Sequence, residues 1–241
     1  MAGPSGALYR VHADGVYGSA DGGRTWTAVP LPPRALERGV GAFDVALDGT
    51  FYVGGPSGIA FSDDEGRSWR APDEAPAPAA IVALAANADS AHIAFAYAPS
   101  AGVLRTENGG ESWRRMDSGP EPEVRQLMHS DLPGSMNTGW LYAATAEGVY
   151  RAMDCFCGWR RSGELPGDSA EVSAVAVDPR TPENVYAAGP AAVFRSRDGG
   201  ATWERLAAPA ADVNGLTVGP VAGEIFAATA GGALYRSADG A

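Results

Sequence analysis

Ser19-Ala20-Asp21-Gly22-Gly23-Arg24-Thr25-Trp26 is the stretch from which the fold is read, because the rest of the chain repeats it. Further good copies lie at residues 62–69, 106–113 and 196–203, with Thr106 and Asn108 in the first and third places of the copy at 106–113. A worn copy occupies residues 152–159, and a last one opens at Ser237. The acid or amide and the indole of each copy are Asp21 and Trp26, Asp64 and Trp69, Asn108 and Trp113, Asp154 and Trp159, and Asp198 and Trp203, with Asp239 alone in the last. Successive tryptophans stand 43 to 46 residues apart. A period of that size belongs to repeat architectures.

Elementary chemistry explains the recurrence. A short acid accepts hydrogen bonds from backbone N–H groups a few residues on, and the glycines take the positive φ of a tight turn. The indole then buries a large ring between neighbouring units while its N–H finds a partner. Each copy reads as a turn plus a rivet.

The pattern resembles the Asp box of the bacterial neuraminidase repeat, found in sialidase-like β-propellers, and the resemblance covers nearly the whole chain. It implies an all-β propeller of four-stranded antiparallel blades. Family members include glycosidases, assembly factors and sorting receptors, so the resemblance carries fold further than function. It also implies that the boxes lie on the face away from any active site.

The intervals between boxes read as strands in a fixed order. Alternating stretches such as 41–47, 81–85, 124–129, 172–177 and 213–218 supply a first strand, and runs such as Phe51-Tyr52-Val53 and Val185-Tyr186-Ala187-Ala188 a second. After a short turn comes a third, with Tyr17, Phe61, Tyr150, Phe194 and Tyr235 as its recurring core aromatics, and the box leads into a fourth. The chain opens at what matches a second strand and stops after a third. One domain over 1–241 is expected, with six blades, the first lacking its innermost strand and the last its outermost; five blades is the alternative closure. Open end blades would permit oligomerisation by strand pairing.

The net charge is −11, and all 18 basic residues are Arg. An acidic surface without a basic stripe disfavours nucleic acid and anionic membrane, since both require clustered positive charge. No long apolar run suggests a membrane span. No signal peptide is evident at Met1, which leaves the compartment open: extracytoplasmic if a signal has been removed upstream, otherwise cytoplasmic.

Chemistry is expected in two places. Loops joining fourth to first strands carry Asp73 and Glu74, Asp117 with Glu121 and Glu123, Glu164 with Asp168, and Asp212. A spaced carboxylate pair among them would suit glycoside hydrolysis. Against a sialidase-like enzyme, Arg125 is the sole basic residue of the first strands, and Tyr9-Arg10-Val11 lacks the proline of the family's arginine motif. The sharper anomaly is the worn box, which holds both cysteines, Cys155 and Cys157, beside Met153, while the loop before it carries Met128, His129 and Met136. Thiolate, thioether and imidazole form a soft ligand set suited to Cu(I) or Zn. Buried thiols or a Cys155–Cys157 disulfide are the other readings of the same residues. The expected function is a non-enzymatic binding or assembly scaffold with a protein partner and a soft-metal site in the fourth blade; the alternative is a glycoside hydrolase using the acidic loops.

Overall fold

The computed structural model of the chain describes residues 1–241 apart from 4, 13, 77–78, 136–138, 154, 157, 168–170, 191, 208–211 and 241, and apart from the side chains at 34, 36 and 37. The described residues form six up-and-down antiparallel sheets, in two compact units at residues 1–119 and 120–241. Among them, no helix is long and apolar enough to cross a membrane.

In the first unit, β1 (Leu8–His12), β2 (Gly15–Ser19) and β3 (Thr27–Ala28) make the first sheet, and β4 (Ala42–Val45), β5 (Phe51–Gly55) and β6 (Gly58–Ser62) the second. A short helix, α1 (Pro33–Arg38), connects them. The third sheet holds β7 (Ala83–Ala86), β8 (Ala94–Ala98), β9 (Gly102–Thr106) and β10 (Arg114–Asp117). In the second unit, β11 (Val124–Ser130), β12 (Trp140–Thr145), β13 (Gly148–Met153) and β14 (Arg160–Arg161) form the fourth sheet. The fifth contains β15 (Ala174–Val177), β16 (Val185–Gly189), β17 (Ala192–Ser196) and β18 (Glu204–Leu206). The sixth has β19 (Val213–Val218), β20 (Ile225–Thr229) and β21 (Leu234–Ser237). Each sheet pairs its strands in sequence order, as tight hairpins require.

Composition follows position in the sheet. The middle strands β5, β8 and β16 are buried at every residue, which fits sheets covered on both faces. Their side chains are correspondingly compact: Ala94, Ala96 and Ala98 alternate with Phe95 and Tyr97, and Ala187 and Ala188 follow Tyr186. Small residues let sheets approach closely while an occasional large ring fills the remaining space.

Among the described residues the first and sixth sheets have three strands each. Residues 1–3 fold back on β1 through an isolated bridge between Ala2 and Leu8. Two expectations need correction. The fourth strand of the second sheet shrinks to a single bridge, Phe61 to Arg70, and α1 was not anticipated. Phe61 is also out of place among the recurring aromatics: it immediately precedes its box serine, whereas Tyr17, Tyr150, Phe194 and Tyr235 stand two residues before the corresponding position. Strand alternation therefore puts Phe61 on the opposite face. It packs with Trp113 and Leu104 of the following sheet, while Ala60 faces back toward the first.

Candidate functional site

Every good copy of the repeated turn closes the same way. Ser19 Oγ accepts the Gly23 N–H at 2.8 Å and donates to Asp21 Oδ1 at 2.8 Å. That carboxylate accepts the N–H groups of Arg24 and Thr25 at 2.9 Å and the Thr25 hydroxyl at 2.6 Å. Asp64 and Asp198 repeat the arrangement with Ser68 and Thr202. Asn108 keeps the bond from Ser112 N–H and donates its amide to the Ser112 hydroxyl. Hydrogen bonds from Ser68 hold Asp64 down at about 2, and Asp21 is likewise lowered by Thr25. These carboxylates spend their acceptor capacity on their own turns, which makes them structural.

The rivets join adjacent sheets within each unit. Trp69 Nε1 donates to Pro30 O at 2.9 Å and Trp203 Nε1 to Ser162 O at 2.9 Å. Glycines of the fifth-sheet turn are gripped by the fourth sheet: Tyr142 Oη and Arg151 Nη1 both donate to Gly199 O, and Ser162 Oγ to Gly200 O. On the innermost strands, Asp44 accepts Ala86 N–H at 2.8 Å and Gln126 accepts Val175 N–H at 2.8 Å. Burial pushes the Asp44 carboxyl up to about 6, against the pull of its two backbone donors.

The worn turn is built differently. Phe156 takes a left-handed φ of 55° and donates its N–H to Met153 O at 2.8 Å. Cys155 is disulfide-bonded, so in this form it offers no thiolate to a metal. The chain holds one other cysteine, Cys157, which with Met136 and Asp154 lies outside the described residues. Met128 and His129 are consecutive on β11 and so project to opposite faces. Met128 packs against the hydrocarbon of the fifth and sixth sheets. His129 is 3% exposed, and a Cβ added at Gly139 would stand 2.9 Å from its ring. Met153 ends β13 opposite Trp140. Among the described residues, no three His, Cys, Asp or Glu side chains gather where a metal could be held.

On the loops between sheets the acidic candidates are partly absorbed by backbone structure. Asp73 N–H bonds Glu111 O, Glu74 bridges Ser112, and Asp117 accepts Gly119 N–H. Asp168 lies outside the described residues. Arg125 is ion-paired with Glu171. Arg114 donates to Glu107 at 2.8 Å and Arg115 to the Ser118 hydroxyl at 3.3 Å.

A feature not read from the sequence is an apolar cavity of about 470 Å³ in the first unit. Pro32, Pro33, Ala35 and Gly39 form one wall, β5 and β6 from Val53 to Ala60 another, and Trp69, Arg70 and Ala71 its outer rim. It opens where the second sheet loses its fourth strand. In the first and fourth sheets the outer strand closes with Val29 N–H on Val16 O and Ser162 N–H on Val149 O. Counting from the boxes, Ile59 matches Val16 and Val149, and Pro72 matches Val29 and Ser162. Proline has no N–H to give. The chain then leaves the sheet and runs beside the third-sheet turn, where Glu74 O accepts Trp113 N–H. The signal was present in the sequence as a proline one residue past Ala71.

No protein-family model matches this chain, and no curated protein matches it. Among solved structures, the GH74 xyloglucanase from Xanthomonas campestris is similar over 98% of this chain and 36% of its own, with a TM-score of 0.66 and 21% identity. The GH74 enzyme of Niastella koreensis gives 0.61 and 23% identity, again over 98% of this chain and 36% of that one. This chain thus spans about a third of the length of the GH74 chains it resembles. A YCF48 bound to D1 peptide is similar over 92% of this chain and 71% of its own, at 0.59 and 18% identity. At these identities the likeness establishes the all-β propeller fold and nothing about chemistry.

Proposed function

We propose that this chain is a non-catalytic Asp-box propeller that binds a protein partner. The observation that carries this reading is the lining of its cavity: mostly apolar side chains and glycine backbone, with Ser57 besides, Arg70 the single charged residue and no carboxylate. Such a surface suits an apolar peptide side chain, whereas hydrolysis of a glycosidic bond needs an acid and a second carboxylate flanking the substrate. The short connections between second and third strands, such as Pro56-Ser57 and Ala146-Glu147, leave little wall for a deep sugar cleft. Similarity in fold to a propeller seen with a peptide is consistent with the same use. The purified chain is expected to show no turnover of aryl glycosides or of xyloglucan oligosaccharides. Turnover that disappears on replacing Asp73 and Glu74, or Glu121 and Glu123, by their amides would replace the scaffold with a hydrolase.

A second reading applies to the chain with its disulfide opened. The Phe156-to-Met153 bond holds Met153 and Cys155 in one tight turn, and reduction would add thiolates, with Cys157 and His129 or Met136 as further donors for Cu(I) or Zn. One metal ion per reduced chain, lost in Cys155→Ser, is the expected result. Equal metal content in that variant removes the site.

A further inference from the structure

We propose that the outer edge of the second sheet is a strand acceptor, completed by an extended partner segment that pairs with Ile59 and seats an apolar side chain in the neighbouring cavity; this rests on the scaffold reading above and names its site. Phe61 exchanges both backbone hydrogen bonds with Arg70, so its N–H and C=O face outward. By the two-residue alternation, Ile59 turns its own N–H and C=O the same way. Among the described residues nothing bonds them on that side, because Pro72 occupies the place of the donor. An extended backbone is the chemistry that satisfies one donor and one acceptor at strand spacing, and edge addition is an established mode of peptide capture.

The surroundings select the kind of segment. Beside that edge, Val53, Ala60, Pro32, Pro33 and Trp69 offer an apolar slot whose volume admits one or two medium-sized side chains. Arg70 on the rim is already paired with Asp63 at 2.7 Å. Exposed Asp73 and Glu74 follow directly in the chain, which carries a net charge of −11. Charge complementarity therefore favours an extended apolar stretch flanked by Lys or Arg and disfavours an acidic one.

The test uses the whole chain and a fluorescein-labelled peptide of sequence Lys-Val-Thr-Val-Thr-Val-Lys, with a Glu-flanked version as control. Expected are saturable binding of the Lys-flanked peptide, at least tenfold weaker binding of the Glu-flanked one, and slower amide exchange at Ile59 when the first is bound. Pro72→Ser supplies the missing N–H and should close the edge from within, weakening the peptide at least tenfold. Because that variant is expected to be at least as stable as the parent, misfolding would not account for the loss, and Tm checks it directly. Binding that survives Pro72→Ser, binding without protection of Ile59, or no binding by the parent each overturns the edge assignment. None of these results affects the scaffold reading, which falls only to glycoside turnover.

Discussion

Two inter-sheet junctions of this chain have the same plan and opposite finish. Between the fourth and fifth sheets, Tyr142 Oη and Arg151 converge on Gly199 O, Ser162 Oγ holds Gly200 O, and Trp203 Nε1 bonds Ser162 O. Between the second and third sheets the matching residues are Tyr52, Phe61, Pro72 and Trp113. Tyr52 and Trp113 meet edge to face with centroids 6.0 Å apart, yet the buried Tyr52 Oη and Trp113 Nε1 have no hydrogen-bond partner among the described residues. At the fourth-to-fifth junction polar side chains converge on the turn carbonyls; at the second-to-third the matching places hold packed rings, and the bonds that still cross it come from the Asp44 carboxylate and the backbone of residues 73–74. Two substitutions account for the difference: Phe for Arg removes a donor to the turn carbonyl, and Pro for Ser removes both a backbone donor and a hydroxyl. The same proline leaves the cavity rim open, so the less satisfied junction and the candidate docking edge have one cause.

The largest expected effect separates the two indoles. Trp203→Ala removes a buried ring and strands a carbonyl, and should cost about 3–5 kcal/mol by chemical denaturation. Trp113→Ala removes a ring of similar burial with an N–H that is already unpaired, so it should cost about 1 kcal/mol less. Equal losses, or a greater one at Trp113, would erase the distinction.

A smaller effect lies on the inner strands, where Asp44 in the first unit and Gln126 in the second do the same job for the next sheet. Only Asp44 titrates. Its folded pKa of about 6 exceeds the unfolded value of 3.8. Between those pH values the folded state holds the extra proton, so this contribution favours folding most below about pH 4 and is lost as pH rises through 6. Asp44→Asn should flatten a slope worth about 2 kcal/mol in stability measured from pH 4 to 7. Gln126→Glu should introduce a slope of the same sign. An unchanged pH profile in Asp44→Asn would show that water reaches this carboxylate.

The smallest concerns the phenols. Tyr142→Phe gives up a bond to Gly199 O and should cost about 1 kcal/mol, while Tyr52→Phe removes an unpartnered buried hydroxyl and should be neutral or slightly stabilising. A cost at Tyr52 equal to that at Tyr142 would mean that a bound water serves the second-to-third junction in place of a side chain.

Much of the fold was legible in the sequence because its turns are self-contained. Asp21, Asp64 and Asp198 bond residues three and four places along the chain, so a local pattern was enough to locate them. The candidate site was less legible. The cysteines drew attention as a soft ligand set, yet Cys155 is in a disulfide and Met128 turns away from His129 into packed hydrocarbon. Phe61 passed for one more core aromatic because its spacing is off by a single residue, which in a strand reverses the face.

By itself, then, the sequence determined what depends on neighbours along the chain: the repeated turns, the alternating strands and the antiparallel sheets they impose. Tertiary structure alone decided what depends on neighbours across it. Whether an indole finds a carbonyl and whether a carboxylate loses its water are set by chain segments tens of residues away, and no local pattern encodes them.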